Sequence, residues 1–225
     1  MKSDYLGILS SIQKDIEISN NLEKKDISLI IVTKSQSKEN ISKVINAGFK
    51  SLGENYVEEA IDKIKFFDNK SLEWHFIGNI QSNKIKKISD NFDWVQTVSS
   101  LKHAKLLNQA CEKASKKINV CIQINIDNET SKSGILIEDL DHFVDNILVY
   151  DKLVLRGLMA IPSKTNVLKE NINSYKILKS EYDRLKNKYK YIDTLSIGMS
   201  NDYKIAIDNG SNMIRIGALI FGERR

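Results

Sequence analysis

Eight short apolar runs, each followed by a stretch with helical spacing, leave this chain few ways to fold. The runs span 28–34, 51–55, 73–78, 94–98, 118–126, 153–161, 194–199 and 213–216. They are short and lack polar alternation, which is the pattern of parallel strands covered on both faces. Between them, seven segments repeat apolar residues every three to four positions: 37–48, 56–66, 82–90, 101–116, 136–149, 166–188 and 201–209. Ser37-Lys-Glu-Asn40 opens the first as a capping box with Asn in the acidic position. Val57, Ala60, Ile61 and Ile64 give the second an apolar side. Strict β/α alternation implies a parallel sheet, and eight units favour a closed (β/α)8 TIM barrel. The rival is an open doubly wound sheet, which a glycine-rich loop after the first strand would support; Thr33-Lys-Ser-Gln-Ser37 contains no glycine. Leu6, Leu9, Ile12 and Ile16 predict an extra helix before the barrel. No linker or composition break divides the chain, so residues 1–225 read as a single α/β domain.

Composition excludes more than it assigns. Thirty-four basic against 29 acidic residues leave a net charge of +5, spread along helical stretches without clustered arginine and interleaved aromatics, so nucleic acid is not an expected partner. No apolar run reaches the ~20 residues of a membrane span, and the first residues do not read as a signal peptide. Two cysteines, Cys111 and Cys121, are too few for a disulfide framework or a zinc site and point to the reducing cytosol.

In such a barrel the chemistry sits where strands end. Lys34 ends the first run. A lysine at the end of a buried strand either snorkels to water or stands in a site that pairs or uses its amine. Asn55, Met159, Gly198 and Ser200 fall at or near the ends of other strands, and His75 lies inside the third. Taken singly, Asn55 can bond loop backbone, Met159 can pack the core and His75 can be a satisfied core histidine. Ser200 is expected to cap the helix that follows it. Gly217 opens a short terminal helix and lets backbone approach an anion, with Ala218 beside it. Arg215 lies between Ile214 and Ile216, where a buried guanidinium needs an acceptor: a carboxylate such as Glu54, or a ligand in the mouth. A lysine, a phosphate cradle and an arginine around one mouth suggest pyridoxal 5′-phosphate. Lys34 would carry it as a Schiff base, Ser200, Gly217 and Ala218 would hold its phosphate, Arg215 would face its pyridine nitrogen, and Asn55, His75, Met159 and Gly198 would complete the pocket.

Seven segments together resemble one family. They are Val32-Thr-Lys34; Gly53-Glu-Asn-Tyr-Val57; Trp74-His-Phe-Ile-Gly78 with Gln81-Ser-Asn-Lys84; and Ile124-Asn-Ile126 with Ser131-Lys-Ser-Gly134. Arg156-Gly-Leu-Met-Ala-Ile-Pro162, Leu195-Ser-Ile-Gly-Met-Ser200 and Arg215-Ile-Gly217 with Ile220-Phe-Gly222 complete the set. The order and spacing resemble the pyridoxal-phosphate homeostasis proteins from about Leu29 to the end. The resemblance implies a barrel like the alanine racemase N-terminal domain with the cofactor on Lys34. It also implies a mostly monomeric cytosolic protein without an established reaction, which buffers the cofactor or delivers it to apo-enzymes. Ala218 departs from the threonine frequent at that place in the family and puts a phosphate hydroxyl contact in doubt. Two alternatives remain beside this expectation: a cofactor-dependent racemase or decarboxylase, with His75 as the nearest guess at an acid or base, and a Schiff-base aldolase without the cofactor.

Overall fold

In the computed structural model, the described residues are 5–23, 26–163 and 173–222, the side chains of 21–23 excepted. Eight parallel strands close in chain order: β1 (Ser28–Val32), β2 (Ser51–Glu54), β3 (Glu73–Phe76), β4 (Trp94–Val98), β5 (Ile118–Ile124), β6 (Leu153–Ala160), β7 (Thr194–Ser196) and β8 (Met213–Ile216), with β8 pairing back onto β1. The TIM barrel is therefore the fold, and the doubly wound alternative falls.

Around the barrel run α1 (Tyr5–Glu23), α2 (Lys38–Asn46), α3 (Val57–Phe67), α4 (Ile85–Asn91), α5 (Leu101–Lys113), α6 (Leu140–Ile147), α7 (Asn173–Lys188), α8 (Tyr203–Asp208) and α9 (Ala218–Phe221). Two expected helices, at 82–90 and 136–149, begin as 3-10 turns over Ser82–Lys84 and Ile137–Asp139. The expected helix at 166–188 appears as α7 from Asn173, and its residues 166–172 lie outside the described residues. Ser37 caps α2 as expected, its Oγ accepting from Asn40 N–H at 3.2 Å. Asn40 does not complete the box; its Nδ2 donates to Gln36 Oε1 at 3.3 Å instead. In α1, Leu9, Ile12 and Ile16 are buried, while Leu6 faces solvent. The helix packs against α8 and α9, with Tyr203 Oη donating to Asp15 at 2.7 Å. No helix among the described residues is long and apolar enough to cross a membrane.

Alternation along the strands separates two cores. Side chains pointing outward meet the helices in one large apolar cluster. Those pointing inward include a small cluster of Ile30, Trp94, Cys121, Met159 and Met213. The register places Gly53 beside His75, His75 beside Trp94, and Ile30 beside Arg215, so the interior also holds large polar groups. Gly53 makes room for them: a Cβ there would stand 3.0 Å from Ile30 Cγ2 and 3.2 Å from Ile77 Cδ1. Cys111 and Cys121 are buried free thiols that burial pushes up to about 11 and about 12. Among the described residues, no cluster of His, Cys, Asp and Glu could hold a metal.

Candidate functional site

At the carboxyl ends of the strands, a cavity of about 480 Å³ is walled by the segments that follow β1, β2, β6, β7 and β8. Lys34, Asn55, Met159, Ser200, Arg215, Gly217 and Ala218 all line it, so seven residues spread over 185 positions meet in one place. His75 and Gly198 are not in its wall, which corrects their expected placement. Gly198 shapes the turn behind it: φ is +96°, a Cβ would fall 2.6 Å from that of Ala206, and its carbonyl accepts Arg215 N–H at 3.0 Å.

Lys34 stands in a tight turn just past β1. Gln36 N–H donates to Thr33 O at 3.1 Å, and Ser35 has a left-handed φ of 60°. The lysine is half-buried and lines the cavity.

Across the cavity, Gly217 ends β8 and begins α9. Its φ of −135° is open to any residue, so close approach is what demands glycine: a Cβ would stand 3.1 Å from both Cβ and O of Val32. Ser200 does not cap the helix after β7. Its Oγ accepts from Leu219 N–H at 3.1 Å and so ties the β7 loop to α9. The β7 loop is organised instead by Asp202, which accepts from Met199 N–H at 2.7 Å and from Tyr175 Oη at 2.6 Å. The second bond and burial drive the tyrosine hydroxyl's pKa upward, burial having the larger effect.

Arg215 is the unusual group. It is 3% exposed, and among the described residues its hydrogen bonds join it to no carboxylate, Glu54 included; Asp202 acts on it only through its charge. Its Nη1 donates to Ser196 O at 2.7 Å and to Ser196 Oγ at 2.5 Å, and its Nη2 to Ala160 O at 3.0 Å. Neutral acceptors satisfy hydrogens but not charge, and burial lowers this guanidinium to about 10. Behind it a chain of hydrogen bonds descends through the barrel. Ser196 Oγ donates to Gln96 Oε1 at 2.6 Å, Gln96 Nε2 to His75 Nδ1 at 2.9 Å, and His75 Nε2 to Glu73 Oε2 at 2.9 Å. Thus His75 belongs to the support beneath Arg215. Both ring nitrogens are engaged, and the ring stacks on Trp94 with centroids 5.2 Å apart.

The walls fit a flat, anionic, carbonyl-bearing group. Arg215 supplies a buried cation whose hydrogen bonds go to neutral acceptors, with Asp202 acting on it only through its charge, Gly217 an open cradle, and Lys34 an amine. Asn55 Oδ1 is a buried acceptor with no partner among the described residues, as a ligand hydroxyl or a protonated imine nitrogen would require. Ser196, Gln96 and Asp202 escaped the sequence reading: Gln96 on β4 and Ser196 on β7 meet across the interior only when the barrel closes, and Asp202 acts from the loop after β7.

The model of the alanine racemase N-terminal domain matches residues 9–225. A pyridoxal phosphate homeostasis protein of Escherichia coli K12 is 42% identical over 203 residues, covering 89% of this chain and 87% of that one. Another, from Buchnera aphidicola subsp. Baizongia pistaciae, is 42% identical over 223 residues, covering 98% and 99%. Among solved structures, PipY of Synechococcus elongatus with PLP bound superposes with a TM-score of 0.85 at 27% identity, over 97% of this chain and 100% of that one. An alanine racemase of Clostridium difficile shares the fold, with a TM-score of 0.70 at 17% identity; the match spans 96% of this chain and 57% of the racemase. With this coverage at both levels, the chain belongs to the pyridoxal phosphate homeostasis family, built on the barrel of the alanine racemase N-terminal domain.

Proposed function

We propose that this protein binds pyridoxal 5′-phosphate as a Schiff base on Lys34 and serves to buffer the cofactor and deliver it, without a reaction of its own. The observation that carries the reading is Arg215: a buried cation hydrogen-bonded only to neutral acceptors among the described residues, in the wall of the cavity that Lys34 also lines. When bound, the cofactor supplies an aldehyde that condenses with a primary amine and a ring that can accept electrons.

Lys34 provides the amine. Arg215 faces the pyridine nitrogen as a donor, which disfavours its protonation and weakens the ring as an electron sink. Ser200 and the N–H groups of Gly217 and Ala218 hold the phosphate, and Ala218 adds no hydroxyl of its own. Asn55 orients the ring edge, and Met159 packs beneath it. The position of His75 supports a holding role over racemase or decarboxylase chemistry. The candidate acid or base is sealed under Arg215 with both nitrogens bonded, out of reach of a substrate. One domain suffices for this role, and we expect it to act as a monomer in the cytosol, with apo-enzymes that need the cofactor as recipients.

The test is direct. Protein mixed with the cofactor turns yellow, borohydride fixes the adduct, and mass spectrometry of peptides finds it on Lys34; Lys34→Ala abolishes the visible band. A protein that stays colourless ends the reading, and an adduct on another lysine moves the site. Rapid turnover of any amino acid by the loaded protein would overturn the non-catalytic role.

A further inference from the structure

The charged group least expected in this fold is Lys63. It lies on the barrel-facing side of α3, in the stripe that also carries Val57 and Ala60, and is 3% exposed. An ammonium has three hydrogens to donate, and here each has an acceptor: Thr33 O at 2.7 Å, Glu54 Oε1 at 2.7 Å and Glu59 Oε1 at 2.6 Å. Glu59 Oε1 also accepts Ser35 N–H at 2.6 Å, and Glu54 Oε1 accepts Thr33 Oγ1 at 2.6 Å. Glu54 Oε2 has no partner among the described residues, and desolvation lifts that carboxyl above its ordinary range against the pull of Lys63.

Such a network is a poor device for stability, since apolar side chains of similar volume often do as well or better. What sets it apart is where it grips. Thr33 O and Ser35 N–H belong to the two peptide groups that flank Lys34. Lys63 holds the first and its ion-pair partner Glu59 the second. Ser35 is a residue with a β-carbon in the left-handed region, a conformation that persists where surrounding contacts over-determine it. Glu59 makes such a contact.

We propose that Lys63 and Glu59 are positioning residues for Lys34, clamping the backbone on both sides of it so that its amine enters the cavity at one angle. This rests on the cofactor reading above. Orientation is worth the charges: a misplacement of about 1 Å at a reacting group can cost on the order of a hundredfold in rate.

The experiment compares Glu59→Ala, Glu59→Gln and Lys63→Met with the parent. It follows the rate of visible-band formation with excess pyridoxal phosphate, the thermal midpoint without it, and Ser35 amide exchange by NMR in cofactor-free protein. Losing a bond to a charged acceptor predicts Glu59→Ala to form the band about tenfold or more slowly, with faster Ser35 exchange. Glu59→Gln, which keeps an oxygen for Ser35 N–H, recovers most of the rate, a pattern that simple stapling of α3 to the barrel does not produce. The proposal is overturned if Ser35 exchanges faster while all folded variants form the band within twofold of the parent. It is equally overturned if Ser35 exchange in Glu59→Ala is unchanged. Should Lys63→Met fail to fold, the Glu59 pair decides alone, since that carboxylate is at the partly exposed edge of the network. A parent that forms no band defeats the cofactor reading, and the exchange measurement still tests the clamp.

Discussion

The two ends of the barrel each carry an arginine, and the protein treats them in opposite ways. At the amino-terminal mouth, Arg156 is the extra residue of a bulge in β6, where the register with β5 jumps from Leu155 to Gly157. The bulge turns its side chain over the ring of Trp94, 4.7 Å from the centroid, and into a two-pronged bond with Asp193 at 2.9 and 2.5 Å. That carboxylate holds the guanidinium above its ordinary range. Arg215, at the other mouth, is hydrogen-bonded only to neutral acceptors among the described residues, and burial brings it down to about 10 despite the charge of Asp202. A charge that is matched within the chain is part of the scaffold. A charge buried without a match costs stability in the empty protein, and a ligand that meets it recovers that cost. The difference, more than burial alone, marks the upper mouth as the site.

Substitution at the two arginines is the strongest way to break this contrast. Arg215→Met is expected to weaken cofactor binding on the order of a hundredfold, read by absorbance titration. Its cofactor-free stability should shift by less than about 1 kcal/mol, because relief of the buried charge offsets the lost bonds. Arg156→Met or Asp193→Asn should do the reverse. About 1 kcal/mol of stability disappears, a figure kept small because the pair is partly exposed, while cofactor affinity stays within twofold. If both arginines affect binding alike, the contrast is empty.

The smallest effect sharpens the lower end. The hydrogen bond from His75 is the chief cause that holds the Glu73 carboxyl at about 2, against 4.5 for the free group. A carboxyl lowered in the folded state contributes stability that is complete above 4.5 and is lost as pH falls toward 2. Glu73→Gln should therefore be less stable than the parent at neutral pH, with the gap closing across that window in acid unfolding curves. A gap of constant size would show that this carboxylate is not what His75 supports.

Most of the barrel was legible because strands buried on both faces have few alternatives, and β4 and β8 fall on the residues expected of them. β7 is three residues long where six were expected, since the chain after Ser196 leaves the ladder to make the site loop. The seven cavity residues were readable from their place at strand ends. Gly198 was misread because it sits one turn behind the wall; for His75 the core-histidine reading holds and the pocket placement does not, because inward and mouth-facing residues look alike in a strand. The clamp at Lys63 left a signal that went unread: a lysine among the apolar positions of α3. Ser200 as a helix cap was a local inference, and a contact with Leu219, which is nineteen residues away, replaced it.

The chain of bonds under Arg215 has one further property. A guanidinium has no lone pair to offer, and an ionised carboxylate has no proton, so each end can play only one part. With one proton on the ring, the carboxylate end sets every link: the tautomer of His75 with its proton on Nε2, the face of the Gln96 amide, and the rotor of Ser196. The rival arrangement needs a second proton on the ring and a flipped amide. Such a column orders the barrel interior and holds the cavity's cation on a preset line of donors and acceptors.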